Sequence, residues 1–249
     1  MRKKLIAANW KMHKNPHQTH AFFSAFLPLV KHHTRDEIVV CPPFIDIPAA
    51  VESAHGSNVH IGAQNFYYEH EGAFTGEVSA GMIASAGCSH VIIGHSERRQ
   101  YFGETDDTVN VRLKIAIDHG LTPIVCVGEV LEEREAGITD DVLRRQCSVG
   151  FRNISAERAA KLVIAYEPVW AIGTGKTATP QIAAEAHLTI RGEAARSFGK
   201  PFADQVRILY GGSVKPENAK ALMWEDEIDG ALVGGASLDP KHFAAIVQY

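Results

Sequence analysis

The sequence predicts an α/β fold, an eight-stranded parallel β/α barrel in one domain, on three observations. Eight short apolar runs recur, each bounded by turn residues. Segments with helical spacing fill the stretches between them, and no Ser/Pro-rich linker interrupts the series. The length of 249 residues suits a barrel closed from eight such units.

The apolar runs are residues 5–8, 38–40, 59–63, 91–93, 124–127, 162–165, 208–210 and 231–233. They alternate little, as strands buried on both faces do. Helices are expected over 18–30, 47–54, 78–86, 105–119, from near Asp140, from Pro180, over 216–223 and from Pro240. The segment 105–119 shows why. Val109, Leu113, Ala116 and Ile117 share one face, Thr105 can cap the start, Asp106 and Asp107 oppose the dipole, and Gly120 stops the helix. Thr179-Pro180 and Asp239-Pro240 each set a capping side chain before a first-turn proline. Eight strands alternating with eight helices is the expected count.

Composition narrows the function. A net charge of −4, with no basic stretch longer than Arg2-Lys3-Lys4, excludes a nucleic-acid footprint. The apolar run behind that basic start is only residues 5–8, too short for an export signal. No segment approaches the ~20 apolar residues of a membrane span. Cys41, Cys88, Cys126 and Cys147 are widely spaced without a C-x-x-C, as buried free thiols of a reducing compartment are. A soluble, cytoplasmic protein is expected.

In a parallel barrel the residues following each strand converge at one rim, where active sites are built. Here they are Asn9 and Lys11, Gln64-Asn65, His95-Ser96-Glu97, Gly128-Glu129, Glu167, Gly211-Gly212-Ser213 and Gly234-Gly235. Glycine pairs after the last two strands let backbone N–H groups approach a phosphate, or simply make tight turns. Lys11 could supply a cation, or be an ordinary surface lysine. His95 precedes a charged segment able to begin a short helix, whose N-terminus would keep the imidazole neutral. Glu97 is a supporting partner for the site or an ion-pair residue for Arg98 or Arg99. His13, His32, His33, His55 and His70 read as solvated surface. Glu167 opens a stiff Pro-Val-Trp corner followed by a glycine-interrupted tip, the pattern of a lid. Residues 173–178 fit G-x-G-x-x-A, but no strand enters them directly, and Trp170 stands where a Walker A loop needs glycine. No clustered spacing argues for a metal.

The chain resembles the triosephosphate isomerases over essentially its whole length. The resemblance is carried by Asn9-Trp10-Lys11-Met12, Gln64-Asn65, Gly72-Ala73-Phe74-Thr75-Gly76-Glu77 and Ile93-Gly94-His95-Ser96-Glu97-Arg98-Arg99. It continues through Cys126-Val127-Gly128-Glu129, the run from Tyr166 to Thr177, Tyr210-Gly211-Gly212-Ser213-Val214 and Leu232-Val233-Gly234-Gly235-Ala236-Ser237-Leu238. Residues 66–71 and 147–153 follow the family less closely. The resemblance implies the TIM-barrel fold and interconversion of dihydroxyacetone phosphate and glyceraldehyde 3-phosphate, with no cofactor or metal. It implies catalytic roles for Lys11, His95, Glu97 and Glu167, and substrate binding by Asn9, Lys11, Gly173, Ser213, Gly234 and Gly235. The loop 66–77 is implied to make a homodimer by bringing Thr75 near Lys11 of a partner; folding back on its own barrel is the alternative. Two other activities stay open on the residues: a sugar-phosphate aldolase using Lys11 for a Schiff base, and a phosphate-binding protein without catalysis.

Overall fold

In the computed structural model, which describes residues 2–171 and 178–249, β1 (Leu5–Asn9) lies between β2 (Glu37–Cys41) and β8 (Gly230–Val233). The ring continues through β3 (Val59–Ala63), β4 (His90–Ile93), β5 (Thr122–Val127), β6 (Val163–Tyr166) and β7 (Arg207–Tyr210), every pair parallel. The predicted closure is therefore observed. Several strands begin one or two residues before their apolar runs, at Glu37, His90, Thr122 and Arg207. These polar residues point into the N-terminal mouth, so an apolar count misses them.

Pairing is uneven around the ring. Adjacent strands share two to five registered pairs, except β7 and β8, which share one, Tyr210 with Ala231. Gly230 serves the other side of β8, where it permits a close approach to β1. Its φ is +139°, and a Cβ there would meet the Leu5 backbone.

The expected helices appear as Pro16–Val30, Ile47–Ala54, Ala80–Ser85, Asp106–Asp118, Thr139–Gly150, Pro180–Phe198, Pro216–Met223 and Pro240–Val247. Thr105 caps the fourth as expected, and Asn15 caps the first by accepting from the Gln18 N–H, which moves its start forward to Pro16. One helix per strand is corrected: eleven α-helices occur among the described residues. The extra ones, Ser96–Tyr101, Leu131–Glu135 and Lys200–Ala203, are too short to show a hydrophobic period.

Two apolar layers hold the barrel. Leu5, Ala7, Val39, Ile92, Ile124, Val163, Leu209 and Leu232 fill its interior, while alternate residues such as Ile6, Val40, Ile93 and Ile164 pack against the helices. At the N-terminal mouth, Asp229 accepts from Arg2 at 2.5 Å, Arg191 at 2.8 Å and the Ile208 N–H at 2.9 Å. Glu37 pairs with Arg207, and His90 Nε2 lies 3.1 Å from it, out of line for a full hydrogen bond. His33 departs from the surface reading: it is largely covered and sits 3.2 Å from Asp36.

Candidate active site

The C-terminal rim is assembled by short segments that the strands deliver to one place. Lys11 follows β1 with φ +52°, a left-handed conformation that costs a side-chain-bearing residue of the order of 1–3 kcal/mol. Two side chains hold it there. The Lys11 N–H donates to Asn9 Oδ1 at 3.0 Å, and Gln64 Nε2 donates to the Lys11 and Cys41 carbonyls, both at 2.9 Å. Lys11 Nζ then meets Glu97 Oε1 at 2.8 Å. Arg98 pairs instead with Glu104 and Arg99 with Asp106, so the reading of Glu97 as their partner is corrected.

His95 follows Gly94 at the end of β4 and caps the helix Ser96–Tyr101, its Nδ1 accepting from the Glu97 N–H at 3.2 Å. That bond leaves the ring proton on Nε2, which lies 2.8 Å from Glu167 Oε1. Glu167 is buried at the end of β6, and its other oxygen accepts from the Ser96 N–H at 2.9 Å. The Ser96 hydroxyl is more distant, 3.4 Å from Oε1, and the Cys126 thiol also donates to the carboxylate.

These contacts set the charges. Burial alone would raise the Glu167 pKa, but His95, the Ser96 amide and Cys126 together hold it below the ordinary value. Burial likewise pushes His95 down, and the adjacent Glu167 carboxylate overcomes it, so the ring is drawn above its ordinary value. The expected neutral imidazole thus has the right tautomer but a neighbour that favours its proton. Cys126 is driven far up by burial and stays a thiol.

A cavity of about 280 Å³ is lined by Asn9, Lys11, His95, Glu167, Ser213, Gly234 and Gly235, so most of the predicted site converges. Glu97 is the exception. It lines a neighbouring cavity of about 260 Å³ with Asn65, Phe44 and Phe102, and reaches the site only through Lys11 and His95. Gly173 lies outside the described residues, as do the predicted lid tip and most of the G-x-G-x-x-A run.

The glycines serve two purposes. A Cβ on Gly211 would come within 3.0 Å of Glu167 Cγ, and one on Gly212 would collide with the Tyr210 ring. The first is required by packing against Tyr166 and Glu167, the second by packing against Tyr210 and Pro168. Gly234, by contrast, faces the cavity: a Cβ there would lie 3.9 Å from Lys11 Nζ.

Three contributors were named at the rim without the contacts that make them matter. Ser96 was visible only as the start of a short helix, and nothing in the chain signals that its amide faces Glu167. Gln64 was noted after β3 without the two carbonyls it braces. Glu129 accepts from Tyr166 at 3.1 Å and from Trp170 at 2.9 Å, tying both flanks of the Glu167-Pro168 corner to the loop after β5.

Fold and rim together define a class: a parallel β/α barrel with a carboxylate, an imidazole and an ammonium around a glycine-walled cavity at one mouth. A family model described as triosephosphate isomerase matches residues 4–249. Proteins of that name are similar along their whole length. The one from Solibacter usitatus (strain Ellin6076) is 59% identical over 249 residues, with all of both chains covered. That from Clostridium botulinum (strain Okra / Type B1) is 54% identical over 249 residues, again covering both fully. That from Carboxydothermus hydrogenoformans is 53% identical over 248 residues, covering 100% of this chain and 99% of its own. The chain belongs to the triosephosphate isomerase family and is an isomerase.

Proposed function

We propose that the chain interconverts dihydroxyacetone phosphate and D-glyceraldehyde 3-phosphate by proton transfer through an enediolate. The observation that carries this is the meeting of Glu167, His95 and Lys11 at one cavity whose far wall is Ser213, Gly234 and Gly235.

A carbon acid beside a carbonyl is too weak to yield its proton to an ordinary carboxylate unassisted. A positioned base contributes about 10²–10⁴-fold. Donors aimed at the developing oxyanion supply the rest, at roughly 3–4 kcal/mol each. Glu167 is the base and moves the proton between the two carbons. His95 Nε2–H, already pointing at the carboxylate, is the donor that polarises the carbonyl. Asn9 and Lys11 stabilise the enediolate, and Glu97 keeps Lys11 in place. The substrate phosphate sits against Ser213, Gly234 and Gly235, and the family resemblance adds Gly173 to its contacts.

For this to proceed, Glu167 must leave Ser96 and His95 and turn toward the substrate. Once the carboxylate has withdrawn, His95 loses the neighbour that raises it, and burial and the helix N-terminus favour the neutral ring. The reaction as proposed uses neither metal nor cofactor.

We infer a homodimer through the loop 66–77. Phe66 is buried in its own barrel, whereas Met12 and Phe102, which line the cavity beside Glu97, and Ile45, Phe74 and Tyr101 leave apolar surface exposed. No helix among the described residues is long and apolar enough to cross a membrane. Four buried free thiols suit a reducing, cytoplasmic setting.

A coupled assay with glyceraldehyde 3-phosphate, run with and without chelator, tests the function: turnover unaffected by chelation is expected, and no conversion above the buffer rate would overturn it. Borohydride with dihydroxyacetone phosphate should trap nothing on Lys11. Light scattering should give twice the chain mass.

A further inference from the structure

We propose that Gln146 is a positioning residue for the Glu167 carboxylate, acting through the backbone of Gly128; this rests on the reading of Glu167 as the base. Gly128 follows β5 directly opposite Glu167. The Glu167 N–H donates to the Val127 carbonyl at 2.8 Å, and the Val169 N–H donates to the Glu129 carbonyl at 3.1 Å. Those two bonds use the sides of Val127 and Glu129 that face β6. Gly128 sits between them, so its own N–H and C=O face the other way, toward β4.

On that side the sheet has run out. β4 ends at Ile93, in register with Val125, three residues short of Gly128. Arg99 Nη2 takes the Cys126 carbonyl at 3.3 Å. The Gly128 groups are taken by one side chain, from the helix Thr139–Gly150. Gln146 Oε1 accepts from the Gly128 N–H at 2.7 Å, and Gln146 Nε2 donates to the Gly128 carbonyl at 3.0 Å. The amide must face this way round, because a flip would set donor against donor and acceptor against acceptor. Gln146 is buried, and its carboxamide stands where the next strand would be.

The pair matters to Glu167 because Gly128 leaves no slack. A Cβ on Gly128 would fall inside contact with the Glu167 carbonyl oxygen and 2.6 Å from its carbonyl carbon. The Gly128 backbone is therefore the wall against which the Glu167 backbone rests, and Gln146 is what fixes that wall from behind. A carboxylate that must reach a carbon with sub-ångström accuracy depends on where its own Cα is held.

Two substitutions test this. Gln146→Met keeps the volume and removes both hydrogen bonds; kcat is expected to fall about tenfold while KM changes less than about twofold. Gln146→Glu restores the pair only when protonated, since a carboxylic acid can accept from the N–H and donate to the carbonyl, whereas a carboxylate faces that carbonyl with a second acceptor. Its kcat, divided by that of the parent at the same pH, should rise toward unity as pH falls from about 8.5 to about 5.5. A purely structural role would lower stability without that pH-dependent recovery. Parental kcat in folded Gln146→Met overturns the proposal, and so does a Gln146→Glu ratio that stays flat with pH. If Gln146→Met does not fold, the Gln146→Glu profile decides alone. If the parent itself does not isomerise triose phosphates, the reading of the site fails instead. The clamp is then scored by hydrogen exchange at the Gly128 amide, which should quicken about tenfold or more in Gln146→Met, where the N–H loses its acceptor; unchanged protection there overturns it.

Discussion

Asp229 at the N-terminal mouth and Glu167 at the C-terminal mouth are both buried carboxylates at strand ends, and their partners differ in kind. Asp229 is gripped by two guanidinium groups and a backbone amide that come from the chain start, the helix Pro180–Phe198 and β7. Each bond is charge-assisted, and together they fix the carboxylate across three elements. Glu167 is held by the Ser96 amide and by His95, with the Ser96 hydroxyl barely in reach. On the proposed reading these partners give way to substrate during turnover. The same chemical group is a rivet at one end of the barrel and a moving part at the other.

The contrast is sharpest in the largest expected effect. Glu167→Gln should lower kcat by about 10²–10⁴-fold. Its urea midpoint should fall only modestly, because the amide oxygen keeps the Ser96 N–H bond and only the oxygen facing His95 is replaced by a donor. A midpoint collapse would mean that Glu167 is structural after all. Asp229→Ala should do the opposite. Removing the carboxylate strips Arg2 Nε and the Ile208 N–H of their acceptor and leaves Arg191 with the Glu227 carboxylate, at a cost of about 3 kcal/mol, read by denaturant unfolding, while kcat per folded molecule is kept. A large loss of kcat there would break the division between the two mouths.

Strong acid should act on the N-terminal mouth. His90 and then Arg207 beside Glu37 hold its carboxyl at about 2, below the ordinary 4.5. A depressed pKa contributes stability that is fully present above about pH 4.5 and is lost as pH falls toward 2. Melting temperature should therefore drop more steeply over that window in the parent than in Glu37→Gln. Equal slopes would remove Glu37 from the acid response. The smallest effect belongs to Ser96→Ala. It removes only the 3.4 Å hydroxyl contact and leaves the amide bond, so kcat should change by less than about threefold. A tenfold change would show that the hydroxyl, rather than the amide, parks the carboxylate.

The sequence made the barrel legible because its strands are buried on both faces and therefore read as uninterrupted apolar runs. It lost their first residues for the same reason: Glu37, His90 and Arg207 are polar where the mouth needs them. The site was legible wherever a functional group follows a strand directly, as Lys11, His95, Glu167 and Gly234 do. It was illegible where the contact is made by backbone or from a distant helix. The Ser96 amide, the Gln64 brace on Lys11 and the Gln146 pair on Gly128 join residues 18 to 71 positions apart, and no local pattern encodes them. Phosphate contact and tight turning, the two readings of Gly211 and Gly212, omit a third demand, close packing against Glu167 and Tyr210.

The single registered pair between β7 and β8 has a consequence for how the molecule breathes. The loops holding Gly211–Ser213 and Gly234-Gly235 leave the sheet at the top of that seam, one from each side. On the proposed reading, a dianion seated between them would act as a cross-brace over the joint with the fewest rungs. Substrate would then tighten the ring at its loosest point, and an empty site would leave that joint freest to gape.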